Sequence, residues 1–439
     1  MRALTAEGAF LFAFPIDRVE RFRLDFHDQE IKMRKMTIGE QVEYLMQGTD
    51  YGDEELKQAM ATELRDRLIE AEKDNRPLRV YCGFDPRTSD LHLGHTVPMR
   101  KLRQFQELGH QVTFLVGNYT SLIGDPSDKD KLRPQLDADQ VAQNARTYAE
   151  QAYKVLDKQK TLIRFNAEWL SEISFAELIK LASNFTLQQF LTRETFRLRW
   201  ERGDPIYLHE TFYALMQGYD AYNMRTDVQV GGSDQLFNIV TAARKVMEFY
   251  GEKPNIAIIL GILPGTDGEV KMSKSLGNHI PLLAPPEDMY GKVMSVPDSA
   301  MGQFFRLVTR WTPAEIAKIE TDMAEGRLHP RDVKMNLARE IVTIYHSEKA
   351  AEEAEAAFVR VFQHGELPAE MPEYELQEGQ TVLEVLIAGN LVSSKSEGRR
   401  LIEQRGVRLD GATLEDASQF FPHPGVLQVG KRRFLRVVC

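Results

Sequence analysis

The chain has 439 residues, 43% apolar and 27% charged, which is ordinary for a soluble globular protein and long enough for two or three domains. A net charge of −10 excludes an overall basic surface that would hold nucleic acid by bulk electrostatics, while leaving local patches open. Two cysteines, Cys82 and Cys439, exclude a disulfide framework or thiolate-rich zinc cluster and suit a reducing cytosol, and no run approaches the ~18 apolar residues of a membrane span.

Residues 1–35 contain a short apolar run, "AFLFAFPI", but no small-residue cleavage site follows it, so they make a poor signal peptide. They are expected to be a non-native or disordered extension, with Met33 or Met36 as the initiator. Amphipathic helical text follows Met36, notably "YGDEELKQAMATELRDRLIEAEKDN". "PLRVYCGFDP" is a short strand ending in a turn, and Cys82 within it is a packed small hydrophobe. "TVPMRKLRQFQEL" puts Val97, Leu102 and Phe105 on one helix face, with Gly109 to end the helix. "HQVTFLVGN" is a second strand, and the loop "YTSLIGDPSDKDKLRPQL" follows. Strand, helix and strand in this order form a βαβ unit. Helical text occupies 138–160 and 171–200. "TDVQVGGSDQLFNIVTAARKVMEFYG" then gives a strand, a Gly-Gly turn and a helix, and "NIAIILGILPG" a buried strand. The sum predicts an α/β domain over 36–283, a Rossmann-type doubly wound parallel sheet with a helical insertion. Its ligands would sit at the carboxyl ends of the strands.

Three clusters within that domain carry candidate chemistry. "HLGH" places His92 and His95 on one side of a helical first turn, where free amides and the positive dipole end favour an anion, and Gly94 lets a flat group approach. Read alone, it is equally a pair of capping histidines. In "YLHETFYALMQGYD", Tyr213, Gln217 and Asp220 are spaced four and three apart and share a helix face. That face suits a small zwitterion with a hydroxyl, or it is the wet side of an amphipathic helix. "GEVKMSKSLGNHI" is either a solvated loop or a cationic one. In the second case Lys271 and Lys274 fold over a triphosphate and neutralise charge on a pyrophosphate leaving group. No GxxxxGK[ST] occurs, which disfavours the P-loop class.

Beyond the loop the text is helical over 284–361, acidic and rich in Pro and Gly over 362–379 (a linker), and a separate tail domain occupies 380–439. From 391 onward nine Lys and Arg face five Asp and Glu, a net of +4, so residues 1–390 carry −14. "SSKSEGRRLIEQRG" reads as a helix with Ser393 or Ser394 at its cap. Lys395, Arg399, Arg400 and Arg405 stand ready for phosphates, or make a plain solubilising face.

From about residue 36 to the C-terminus this ordered set of blocks resembles the bacterial tyrosyl-tRNA synthetases, of the class I aminoacyl-tRNA synthetases. "HLGH" is similar to the class's first signature and "KMSKS" (271–275) is its second. "YCGFDP", "LIGDPS", "YALMQGYD" and "VGGSDQ" resemble the tyrosine enzyme's own blocks, and the tail (380–439) resembles the S4 RNA-binding domain, which implies a small α+β fold.

The resemblance implies a tyrosine–tRNA ligase that takes ATP as substrate, with Mg2+ on its phosphates and no fixed metal. It implies a cytoplasmic homodimer whose partners are L-tyrosine and tRNA(Tyr). It further implies that Tyr81 and Asp220 hydrogen-bond the substrate phenol, and that Asp125, Tyr213 and Gln217 hold the ammonium. Gln235 would lie near the carboxylate, Asp85 would line the site, and Gly232 and Asp234 would meet the ribose. His92, His95, Lys271 and Lys274, with Gly94, Ser273 and Ser275, would serve the phosphates. The helices of 284–361 and the residues Lys395, Arg399, Arg400 and Arg405 would bind tRNA. Two departures stand out: Arg87 replaces the usual threonine after "DP", and "DPSDKD" lacks the usual glycine, with Asp128 opposing Lys129. A tryptophan-activating relative and a catalytically idle RNA-binding protein are the rival readings. A tyrosine hydroxyl opposite Asp220 argues against the first, and intact signatures against the second.

Overall fold

A computed structural model describes residues 36–86, 91–127, 138–363, 371–392, 394–430 and 433–439. The expected extension (1–35), Arg87, Lys129 and Ser393 lie outside these residues, as does 364–370 of the expected linker.

Helix α1 (Ile38–Met46) opens on a reciprocal cap between Thr37 and Glu40, and α2 (Glu54–Lys73) opens on Asp53. The expected βαβ unit follows as β1 (Arg79–Phe84), α3 (Leu93–Glu107) and β2 (Gln111–Val116). Val97, Leu102 and Phe105 are all buried, and Gly109, at φ +88°, turns the chain out of α3. Next come α4 (Ala138–Ala152), β3 (Thr161–Phe165), α5 (Ala167–Leu170), α6 (Phe175–Ala182), α7 (Leu187–Leu191) and α8 (Glu194–Arg202). The long α9 (Leu208–Asn223) leads into β4 (Val228–Gly232), a π-helical turn (Phe237–Ala243), α10 (Arg244–Phe249) and β5 (Ile256–Leu260).

All five strands run parallel in the order β3-β2-β1-β4-β5. Strand order reverses between β1 and β4, which opens a crevice at their carboxyl ends. Every residue of β5 is buried and all but the last of β4, as strands covered on both faces require. This is the Rossmann-type class the sequence led us to expect.

Strand β3 departs from that reading, which left 161–170 unassigned between two long helical stretches. As an edge strand it has one neighbour and no fully buried residue, so it shows no continuous apolar run. The stretch 171–200 is likewise not one helix but several, because Ser174 and Thr186 each cap a new start.

Downstream the chain is helical: α11 (Pro286–Met294), α12 (Met301–Val308), α13 (Pro313–Ala324), α14 (Pro330–Tyr345) and α15 (Glu348–Gln363). Proline opens three of these, where its missing N–H costs no hydrogen bond. The C-terminal part has its own core and sheet. Its elements are β6 (Glu373–Glu375), α16 (Val382–Ala388), α17 (Lys395–Glu403), β7 (Val407–Leu409), β8 (Ala412–Thr413), β9 (Gly425–Val429) and β10 (Arg433–Val438). The sheet order is β6-β10-β9-β7-β8. Because β6 pairs with Arg436–Val438, this unit begins inside the stretch 362–379 read as linker, not at 380.

Candidate active site

Asp220 lies on α9, 3% exposed. Trp169 Nε1 donates to its Oδ1 at 2.7 Å and Asn166 Nδ2 to its Oδ2 at 3.3 Å. Burial pushes the Asp220 carboxyl up to about 8; the two hydrogen bonds oppose that shift and the Asp85 charge adds to it. Tyr81, on β1, donates its hydroxyl to the Gln217 carbonyl at 3.3 Å, a long bond that a closer partner can replace. Burial, and then the Asp220 charge, hold the Tyr81 phenol well above its ordinary range.

Two further carboxylates, Asp85 and Asp125, lie close by and act together with Asp220 on the buried Tyr213 phenol. Asp85 accepts the Tyr213 hydroxyl at 3.1 Å and the Thr120 hydroxyl at 2.8 Å. Asp125 accepts Gln235 Nε2 at 2.6 Å and the Ser127 amide at 2.8 Å. Behind Asp125 stands Arg193, buried over the rings of Phe196 and Phe237, with Nη2 2.5 Å from Ser127 Oγ and 3.9 Å from Asp125 Oδ1. Three half-buried or buried carboxylates thus converge beside one buried guanidinium. That surplus of negative charge suits a ligand ammonium, and the Asp220–Tyr81 end suits a hydroxyl.

A second half of the site forms at the head of α3. His92 caps the helix, its Nδ1 accepting the Gly94 amide at 3.1 Å, while His95 Nδ1 accepts the His92 amide at 3.2 Å. Both bonds use Nδ1 as acceptor, so the proton of each neutral ring sits on Nε2. Burial, and then the charges of His95, His279, Lys274 and Lys271, push His92 down to about 3. Burial, Lys274 and Lys271 push His95 down to about 4. Both rings are neutral near pH 7 and offer N–H donors, not acids.

The segment carrying "KMSKS" is held beside them. His92 bridges Pro281, and Leu93 N bonds Ile280 O at 3.0 Å while Leu282 N bonds Leu91 O at 2.9 Å. Met272 anchors the loop, 2% exposed in the main core. Asn278 clips it, accepting the Ser273 amide at 2.8 Å and donating to Asp267 at 2.5 Å. Ser273 and Ser275 share a 2.9 Å hydrogen bond, and Lys271 Nζ stands 3.4 Å from Asp234 Oδ2. A Cβ on Gly232 would come within 2.6 Å of Asp234 Oδ1, so only glycine leaves the end of β4 bare beside that carboxylate.

The structure therefore brings together Tyr81, Asp85, Asp125, Tyr213, Gln217, Asp220 and Gln235 in one cluster. In a second it brings together His92, Gly94, His95, Lys271, Ser273, Lys274 and Ser275, with Gly232 and Asp234 at the end of β4. Lys395, Arg399 and Arg400 are exposed on α17, whose cap is Ser394, and Arg405 follows it, 3.4 Å from Glu415. Cys82 is buried, and burial with the Asp234 charge pushes its thiol well up, as befits a packing residue. Sequence reasoning missed Asn166, Trp169, Thr120 and Arg193. A buried tryptophan has to find a partner for its N–H, and that need was the available signal for Trp169.

The family described as tRNA synthetases class I (W and Y) matches residues 72–363. The chain is 45% identical over 385 residues to the tyrosine–tRNA ligase of Carboxydothermus hydrogenoformans, covering 86% of this chain and 93% of that protein. It is 45% identical over 374 residues to that of Thermotoga maritima, covering 85% and 93%. Among solved structures, a C-terminally truncated Aspergillus nidulans mitochondrial tyrosyl-tRNA synthetase superposes with a TM-score of 0.59 at 24% identity, over 76% of this chain and 97% of that one. The Archaeoglobus fulgidus tyrosyl-tRNA synthetase solved with L-tyrosine gives 0.55 at 22% identity, over 73% and 100%. These two likenesses speak to the fold.

Proposed function

The chain belongs to the tyrosine–tRNA ligases, within the class I tRNA synthetases for tryptophan and tyrosine, and from that premise we propose what its residues do. The reaction activates L-tyrosine with ATP to tyrosyl adenylate and pyrophosphate. The tyrosyl group then passes to the 3′-terminal adenosine of tRNA(Tyr), with release of AMP. The buried pair Asp220 and Tyr81 carries the reading of the substrate, because a pocket that ends in a carboxylate and a phenol rewards a ligand hydroxyl and leaves polar groups unpaired without one.

The substrate phenol sits between Tyr81 and Asp220. Asp125, Tyr213 and Gln217 take the ammonium, with Asp85 beside them, and Gln235 lies at the carboxylate. Gly232 and Asp234 meet the ribose. The ATP phosphates, with Mg2+ accompanying them as part of the substrate, lie between the His92 and His95 Nε2–H groups and the Lys271 and Lys274 ammonium groups. Gly94 leaves room there, and Ser273 and Ser275 add hydroxyls. One tyrosine carboxylate oxygen attacks the α-phosphorus, the α–β bridging bond breaks, and pyrophosphate leaves with the negative charge. A carboxylate nucleophile has no proton to give up, so neutral imidazoles that only donate hydrogen bonds fit this step.

The helices of 284–361 and the positive tail, through Lys395, Arg399, Arg400 and Arg405, bind the tRNA, the tail as an S4-like domain. Exposed large apolar side chains concentrate between 162 and 208, among them Phe175, Leu187, Trp200 and Leu208, and support a homodimer closing over that face. A cytoplasmic location fits the two free cysteines. No helix among the described residues is long and apolar enough to cross a membrane. Amino-acid-dependent ATP–pyrophosphate exchange, followed by tRNA charging, tests the proposal. Tyrosine should support both, and exchange with tryptophan but not tyrosine would overturn it.

A further inference from the structure

A second polar cluster lies on the opposite rim of the catalytic sheet. Arg79 is the first residue of β1, and Asp227 immediately precedes β4. Both are therefore a strand length, about 17–20 Å, from the carboxyl ends that carry the active site. Asp227, 2% exposed, accepts Arg67 Nη1 at 3.1 Å, Arg76 Nη1 and Nη2 at 2.9 and 3.2 Å, and the Arg79 amide and Nε at 2.9 and 3.3 Å. Burial alone would raise its pKa, but the Arg76 hydrogen bonds and the Arg79 amide hold it below the usual range.

One carboxylate does not balance this cluster. A cavity of about 110 Å³ opens on it, lined by Arg67, Arg76, Arg79, Arg225 and Lys253 together with Asp227 and Glu252. Glu70 pairs with Lys253 from outside, at 2.6 Å. Five cations thus meet four carboxylates, Asp74 acting on Arg76 among them, and keep one positive charge in excess. A second observation points the same way. Arg67 is only 4% exposed, yet its Nε has no hydrogen-bond partner, and Glu70 Oε2 stands 3.8 Å off, beyond hydrogen-bond reach.

We propose that this cavity is a binding site for a phosphate-class oxyanion, held by Arg67 Nε and the guanidinium groups of Arg79 and Arg225, and separate from the ATP site. A tetrahedral oxyanion accepts several N–H groups at once and neutralises the excess charge, which water cannot do. The anion is either free in solution or a backbone phosphate of bound RNA. Both present the same oxygens.

The test is calorimetric titration of the full chain with inorganic phosphate, against sodium chloride at matched ionic strength. Arg225→Glu leaves every bond to Asp227 in place, and the Arg225 side chain is 71% exposed, so folding should be retained. That variant, and the double variant Arg79→Ala/Arg225→Ala, should weaken phosphate binding by roughly tenfold or more, the loss of a charged partner. Lys274→Ala, which alters the ATP site, should keep it. Equal phosphate affinity in wild type and both rear-site variants, or loss of binding in Lys274→Ala alone, would overturn the proposal. The charging assay separates the two sources. A KM for tRNA raised in Arg225→Glu, with pyrophosphate exchange unchanged, identifies an RNA phosphate, whereas an unchanged KM identifies the free anion.

Discussion

Asp220 puts selectivity and stability in opposition. Asp220→Asn and Tyr81→Phe each remove part of the hydroxyl's partner set, and each should lower the ratio of kcat/KM for tyrosine over phenylalanine by about tenfold or more. Unchanged discrimination would remove these residues from the phenol site. The same carboxylate makes stability depend on pH. In the unfolded chain an aspartate titrates near about 4, while in the folded chain burial lifts Asp220 to about 8. Between those values the folded state holds more protons than the unfolded one, so the contribution of this group to stability falls as pH rises through the window. Asn at 220 cannot ionise. Asp220→Asn should therefore raise the Tm of the ligand-free protein above pH 8 and lose that advantage near pH 4. A Tm difference that does not change with pH would contradict the raised pKa. Tyr213, Gln217 and Asp220 were legible in the sequence because their spacing alone puts them on one helix face. Trp169 and Asn166, which orient Asp220, were not, because they reach it across the fold from a segment with no periodicity of its own.

At the scale of elements, the loop at 271–275 is buried at its base and exposed at the Lys271 side chain. Met272 is buried and Asn278 ties Ser273 to Asp267, whereas the Lys271 side chain is 49% exposed. In the proposed function, a loop built this way would deliver cations to the phosphates without lining the tyrosine pocket. Lys274→Ala should leave tyrosine affinity near the original and slow adenylate formation by roughly 10²-fold, the low end of what losing one preorganised donor costs. Pre-steady-state measurement of the first turnover checks this, and a collapse of tyrosine binding with an intact chemical step would make the loop a pocket lid. The signature itself was visible in the sequence. The resemblance also implied its placement opposite His92 and His95; the bridge between His92 and Pro281 that holds it there was not legible, since it pairs segments far apart in the chain. Strand β3 escaped for a related reason. An edge strand is stabilised by one neighbour, and its own residues need not announce a core.

At the scale of the molecule, the chemistry and the positive charge occupy different cores. The C-terminal core runs from Val382 to Val437, with Tyr374 and Leu376 packed on it, and among the described residues it draws on none before 374. Both halves of the candidate active site lie before residue 282, within residues 1–390, which carry −14 against the +4 of residues 391–439. An acidic body bearing one basic unit concentrates its electrostatic attraction for RNA at that unit, and this attraction should weaken as salt rises. The point of division matters. A chain cut at 380 would keep Glu373–Glu375 as a strand without its partner Arg436–Val438, whereas a chain ending at 363 removes the second sheet whole. The protein ending at 363 should retain tyrosine-dependent pyrophosphate exchange within about twofold, because no active-site contact is lost and RT ln 2 is smaller than a single hydrogen bond. It should charge tRNA poorly, through a raised KM for tRNA. The full-length KM for tRNA should in turn climb with salt more steeply than the KM for tyrosine. Loss of exchange in a shortened chain that still melts cooperatively would mean that the tail supports the catalytic core directly, and that the division of labour read from charge and packing is false.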